Sequence, residues 1–176
     1  MESLQNILTE LSEIGNNIPS DEQVIQMITD SQKVFVFGAG RSGLAIKMFA
    51  MRLAQMGKQI EVVGETTTGP IDQNDLLIVV SCSGETQQTS IITQKASESG
   101  ATTLLLTANR DSSLGKIVDF TTILGGKGKY SASSTSKQPL GAAFEQLVLL
   151  YLDRVVLDLM VEWQCNEKTC RLIIPI

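Results

Sequence analysis

No histidine occurs anywhere in the 176 residues of this chain. That absence removes every Ser-His-Asp and Cys-His scheme of nucleophilic catalysis, so acid–base work falls to Glu, Asp, Lys, Tyr or Cys. A zinc site is not expected either, because Cys165 and Cys170 alone do not complete a tetrahedral ligand set. Together with Cys82 they make three cysteines, an odd count that speaks against a disulfide framework. No basic patch is present, and a formal charge of -5 with a pI near 4.8 argues against a nucleic-acid groove or an anionic membrane face. The apolar runs fall short of the roughly 20 residues of a membrane span. The N-terminus has neither the charged nor the apolar region of a secretory signal, so a cytoplasmic location is the expectation.

What remains is a globular composition, 43% hydrophobic and 19% charged, in a chain long enough for one core and too short for two. The stretch Leu76-Leu77-Ile78-Val79-Val80 has no polar alternation and reads as a strand buried on both faces. Ser81-Cys82-Ser83-Gly84-Glu85-Thr86 follows at once and cannot continue it; a helix then runs over Thr89 to Ser99. Unpaired N–H groups and the positive end of the helix dipole meet at such a turn, which suits an oxyanion. A serine N-cap on an ordinary helix is the plain alternative. Two serines with Gly84 and Thr86 around one turn favour phosphate.

A second loop has the same setting. Lys33 to Phe37 reads as a strand, Leu44 to Gln55 as a helix, and between them lies Gly38-Ala39-Gly40-Arg41-Ser42-Gly43. This matches the G-x-G-x-x-G dinucleotide pattern, and Glu65 lies near the place of the acidic residue that pattern wants. Against that reading, the chain is barely one nucleotide-binding unit long, and Arg41 and Ser42 supply a cation and a hydroxyl that a pyrophosphate loop does not need. A second hydroxyl-rich loop fits a small phosphorylated sugar held between the two. No cofactor and no metal are expected.

The other segments complete an alternation of helices and strands. Leu4, Ile7, Leu8, Leu11 and Ile14 give an amphipathic helix from Met1 to about Gly15, and Ser20-Asp21-Glu22-Gln23 has the form of a capping box for a second. Further strands are read at Ile60 to Val63, Thr102 to Leu106 and Phe120 to Leu124, with a strand-to-helix turn at Thr107-Ala108-Asn109-Arg110 and a short helix opened by Asp111 to Gly115. In the helix from Leu44, Met48 and Met51, like Met56 just beyond it, read as core filler. The loop from Gly64 to Pro70 places Glu65 and Thr66 either against a ligand or in a solvated turn. Residues 125–138, with Tyr130, read as a mobile loop, and a long helix over 139–163 is apolar around so much of its circumference that a partner subunit is expected.

The expected fold is α/β: three layers around a doubly wound, five-stranded parallel sheet in the flavodoxin-like order 2-1-3-4-5, with N-terminal helices and a long C-terminal helix. One domain covers 1–176, divided into N-terminal helices (1–30), sheet and helices (33–124), loop (125–138), helix (139–163) and tail (164–176). If the strands take that order, the reversal of winding lies between the first and third strands, which carry the two anion-suited loops.

The chain resembles the SIS (sugar isomerase) domain family, most closely the 6-phospho-3-hexuloisomerases. The resemblance rests on Gly38 to Leu44, Phe49 to Leu53, Val63 to Thr67, Ser81 to Thr86 and Gln138 to Gln146. It implies interconversion of D-arabino-hex-3-ulose 6-phosphate and fructose 6-phosphate, without metal, in a homo-oligomer. Such enzymes serve formaldehyde fixation by the ribulose monophosphate route beside a hexulose-phosphate synthase. Glu145 matches the family's carboxylate and is the candidate base, a helix N-terminal carboxylate being its structural alternative. Ser42, Ser81, Ser83 and Thr86 are the candidate phosphate ligands, Arg41 or Arg52 the candidate charge, and Gly40, Glu65, Thr66, Gly84, Glu85 and Gln138 complete the substrate-binding set. The segment from Cys165 to Ile176 departs from the histidine-containing tail expected of the family, and Cys82 stands where a smaller residue is usual. The alternatives are another SIS aldose–ketose isomerase, acting on arabinose 5-phosphate or sedoheptulose 7-phosphate, and a sensing module that binds the sugar phosphate without turnover.

Overall fold

A computed structural model describes residues 3–18, 22–126 and 136–166. The elements in chain order are α1 (Leu4–Gly15), α2 (Glu22–Asp30), β1 (Val34–Gly38), α3 (Arg41–Gln55), β2 (Ile60–Val62), β3 (Leu76–Val80), α4 (Gln87–Glu98), β4 (Thr102–Thr107), a 3-10 turn (Leu114–Lys116), β5 (Phe120–Ile123), a second 3-10 turn (Pro139–Gly141) and α5 (Ala142–Glu162). The proposed capping serine, Ser20, lies outside the described residues, as do Tyr130 with most of the 125–138 loop, and Cys170 with the end of the tail.

The five strands all pair in parallel, as the alternation of segments predicts, and their order is β2-β1-β3-β4-β5, the flavodoxin-like order expected for the fold. Their side chains alternate between two cores. Val34, Val36, Leu76, Ile78, Leu104 and Leu106 face α2, α3 and α5, where they meet Ile28, Phe49, Leu53, Phe144, Val148 and Leu152. Phe35, Phe37, Leu77, Val79 and Leu105 face the other way, onto α4 and the turn containing Leu114. Both faces are therefore dry, and each fully buried Leu, Val or Phe stabilises the fold by roughly 1.5–3 kcal/mol relative to exposure. On the first side α1 lies outermost, with Leu11 packed on Ala143 and Leu147 of α5. Trp163 Nε1 donates to Thr29 Oγ1 at 2.9 Å and ties the end of α5 to α2.

Two expectations are corrected. Met48 and Met51 are not core: they are 54% and 52% exposed, in a row with Leu44 at 66%, and the face of α3 that packs inward is Ala45, Ile46, Phe49, Ala50 and Leu53. Small alanines let α3 sit close to the sheet, while the longer side chains line the outer face. The C-terminal helix also begins differently. Residues 139–141 form a separate 3-10 turn, because Leu140 and Gly141 adopt φ of 54° and 86°, and the α-helix starts only at Ala142.

Candidate functional site

The site follows from one register. Gly38, the last residue of β1, pairs with Val80, the last residue of β3, so the loops after these neighbouring strands leave the sheet at the same level. Their helices then go to opposite faces, α3 with the first core and α4 with the second. This is the crevice that a doubly wound sheet opens at its reversal of winding.

The first loop is shaped by close approach. A Cβ on Gly43 would stand 2.3 Å from the carbonyl oxygen of Gly38, so only glycine lets α3 start against the end of β1. Gly40 precedes the helix at φ 59° in open space, and α3 begins at Arg41 rather than at Leu44, which places Arg41 and Ser42 in its first turn. Ser42 is buried and Arg41 exposed.

The second loop is a compact knot of hydroxyls. Ser81 Oγ and Thr86 Oγ1 are 3.2 Å apart, the Gly84 N–H donates to Ser81 Oγ at 3.2 Å, and the Glu85 N–H donates to Ser83 Oγ at 3.2 Å. It is braced from behind by the loop after β4. Asn109 Nδ2 donates to the Ser83 carbonyl at 3.0 Å, Thr107 Oγ1 to the Cys82 carbonyl at 3.1 Å, and the Leu114 N–H to the Gly84 carbonyl at 3.0 Å. Glu85 Oε1 accepts from the Ser113 N–H at 2.7 Å. Hydrogen bonds from the Ser113 side chain and then its N–H hold the Glu85 carboxyl below its ordinary value. Glu85 thus belongs to the brace. Asn109, Ser112 and Ser113 had no signal in the sequence beyond their place in a third strand-to-helix turn.

Helices α3, α4 and α5 all start without a side-chain cap, at Gly40, Thr86 and Gly141, whereas α1 is capped by Ser3. Their first-turn N–H groups are left to other acceptors, and an anion is the acceptor their dipoles favour. The first turns of α3 and α5 meet directly, since Arg41 Nε donates to Glu145 Oε2. The Glu145 side chain is 12% exposed, that of Arg41 65%.

The remaining predicted residues fall around this centre. The Gln138 N–H donates to Ser136 Oγ at 3.1 Å just before α5, and its side-chain Nε2 is buried without a partner among the described residues. Glu65 is engaged by Lys47 of α3 at 2.6 Å, and Thr66 beside it is exposed; neither is brought against the serine turns by any hydrogen bond among the described residues. Arg52 lies about 16 Å along α3 from Arg41 at 1.5 Å per residue, where it donates to Gln55 at 3.0 Å. Two open hollows, of about 420 and 550 Å³, sit at the opposite end of the sheet. They are lined by Asp30, Asp75 and Asp119 without a cation, and Asp75 and Asp119 are occupied in accepting from the backbone N–H groups of Lys33, Asp72 and Thr103. Among the described residues no helix is long and apolar enough to cross a membrane.

Comparison with known proteins gives the family and the fold. The SIS domain family model matches residues 27–150. A Bacillus subtilis relative named 3-hexulose-6-phosphate isomerase is 40% identical over 172 residues, 96% of this chain and 93% of that protein. One of the same name from Methylomonas aminofaciens is 30% identical over 169 residues, 95% and 93% of the two chains. Among solved structures, a hypothetical protein of Methanococcus jannaschii, from whose structure a function of 3-hexulose-6-phosphate isomerase was inferred, is 29% identical with a TM-score of 0.83, covering 97% of this chain and 96% of that one.

Proposed function

This chain belongs to the SIS domain family, and on that premise we propose that it is a 3-hexulose-6-phosphate isomerase, interconverting D-arabino-hex-3-ulose 6-phosphate and fructose 6-phosphate. The observation that carries the reading is the pairing of Gly38 with Val80, which brings a glycine-and-serine loop and a serine-and-threonine loop to one crevice beside uncapped helix starts. In the proposed assignment the phosphate is held by the Ser42, Ser81, Ser83 and Thr86 hydroxyls and by the N–H groups around Gly40 and Gly84, with Gln138 on the sugar.

The reaction asks little of the protein. Glu145 takes the proton from C2 of the 3-ulose, the electron pair of that bond forms the C2–C3 double bond of an enediolate, and the C3 oxygen takes up the charge. The proton then returns from Glu145 to C3, while the proton of the C2 hydroxyl passes to the C3 oxygen, so that C2 becomes the carbonyl and C3 the hydroxyl. The Ala142 N–H donates to the Pro139 carbonyl, and the N–H groups that follow it in the first turn of α5 stand beside Glu145 in sequence and suit the transient oxyanion.

A homo-oligomer, dimer or tetramer, is part of the proposal. It is supported by the outward row Leu44, Met48 and Met51 on α3 and by Leu150, Leu157 and Val161 on α5, all more than half exposed. The proposed setting is cytoplasmic formaldehyde fixation by the ribulose monophosphate route, with a hexulose-phosphate synthase supplying the substrate. The departure at Cys165 to Ile176 favours the second reading, sensing without turnover. Purified protein given the 3-hexulose phosphate, with fructose 6-phosphate followed through a coupled dehydrogenase, decides between them. Turnover supports the isomerase; saturable binding without product supports the sensor.

A further inference from the structure

We infer that Arg41 is a positioning residue for the Glu145 carboxylate and not a ligand of the phosphate. The inference rests on the reading of Glu145 as the base. Arg41 opens α3 and Glu145 lies in the first turn of α5, 104 residues away in the chain, yet the guanidinium Nε and the carboxylate Oε2 are hydrogen-bonded as an ion pair. Both ends are fixed independently. Gly40 at φ 59° and the contact of Gly43 with Gly38 set where α3 begins, and Leu53 and Phe49 lock α3 against the core that also holds Phe144 and Val148 of α5.

The form of the contact assigns the role. One nitrogen binds one oxygen, so Glu145 keeps Oε1 for a proton while its side-chain torsions are held by Oε2. The arginine is the exposed partner and the glutamate the covered one, so Arg41 closes the solvent side of the carboxylate. A base held in this way meets C2 in one orientation, which is where most of the advantage of a positioned group lies. The phosphate does not need the guanidinium, since the loop hydroxyls and the uncapped starts of α3 and α4 already provide donors.

The test compares Arg41→Met, Arg41→Lys, Glu145→Gln and the double variant Arg41→Met/Glu145→Gln in steady-state isomerisation of D-arabino-hex-3-ulose 6-phosphate. Arg41→Met is expected to lower kcat about tenfold to a hundredfold, with KM within about threefold of the parent. Arg41→Lys and added guanidinium each restore part of kcat. In the Glu145→Gln background the same change costs less than about twofold, since the group it positions is gone. A large rise in KM with kcat retained, or an equal loss in both backgrounds, overturns the inference. Should Glu145→Gln itself keep full turnover, the assignment of the base fails, whatever Arg41 does. Circular dichroism and the thermal midpoint identify any variant that does not fold, and guanidinium rescue of a folded Arg41→Met or Arg41→Gln protein then carries the decision.

Discussion

Gly43 lies so near Gly38 that a methyl group on it would stand 2.3 Å from the Gly38 carbonyl oxygen, and one on Gly38 would stand 2.8 Å from the Gly43 nitrogen. Neither glycine has a positive φ, so the requirement is for space alone. Gly43→Ala is expected to push α3 off β1, at a cost of about 1–3 kcal/mol, and to weaken sugar-phosphate binding with it. Gly40 is the converse case, φ 59° with nothing near its Cβ position. Gly40→Ala should cost about 1–2 kcal/mol, and Gly40→Asn less. Urea unfolding of the three variants, read beside binding of fructose 6-phosphate, checks both statements.

Gly84 carries both constraints. Its φ is 65°, and a Cβ there would meet the Ser112 Cβ at 2.3 Å. Gly84→Ala should lose about 2–4 kcal/mol from backbone strain and contact together. Adding Ser112→Gly removes the contact but not the strain, so recovery should be partial. Full recovery, or none, in chemical denaturation would show that one of the two causes is absent.

Glu85 predicts an acid dependence. Its folded-state carboxyl is held low by Ser113, so its contribution is fully present above the ordinary carboxylate range and is lost as pH falls through the lowered value. Stability of the parent should therefore fall more steeply than that of Glu85→Gln between about pH 5 and pH 2. Parallel curves for the two proteins would remove the Glu85–Ser113 brace from the account.

The exposed row on α3 predicts an assembly. Light scattering of the parent should give a multiple of the chain mass, and Met48→Glu with Met51→Glu should shift it to a smaller species while the circular dichroism spectrum is kept. A parent protein that is monomeric at assay concentration would contradict the proposed interface.

Strands were the most legible part of the chain. Runs such as Leu76 to Val80 have no polar position, so a buried parallel strand is the only economical reading, and the alternation with helices made the sheet parallel, while its order was taken from the flavodoxin-like pattern. Helix α3 misled because it is apolar nearly all round. Periodicity then cannot tell the face with Phe49 and Leu53 from the face with Met48 and Met51, and only the small residues Ala45 and Ala50 mark where the sheet approaches. The candidate hydroxyls were legible because each follows its strand directly. What supports them was not: Asn109 reaches Ser83 across 26 residues and Arg41 reaches Glu145 across 104, contacts set by strand order rather than by local pattern. The break at Leu140 was missed for another reason. A non-glycine residue at φ 54° is costly in isolation and persists where its surroundings hold it.

The proposed grip of both loops on a single phosphate beside Glu145 is tested most directly by a structure of the protein with fructose 6-phosphate bound. The account predicts phosphate oxygens within about 3.2 Å of donors from both loops, Ser42 or Gly40 on one side and Ser81, Ser83 or Thr86 on the other, with C2 and C3 facing Glu145. A phosphate held by one loop alone, or seated at the amino ends of β3 to β5 beside Asp75 and Asp119, would contradict it.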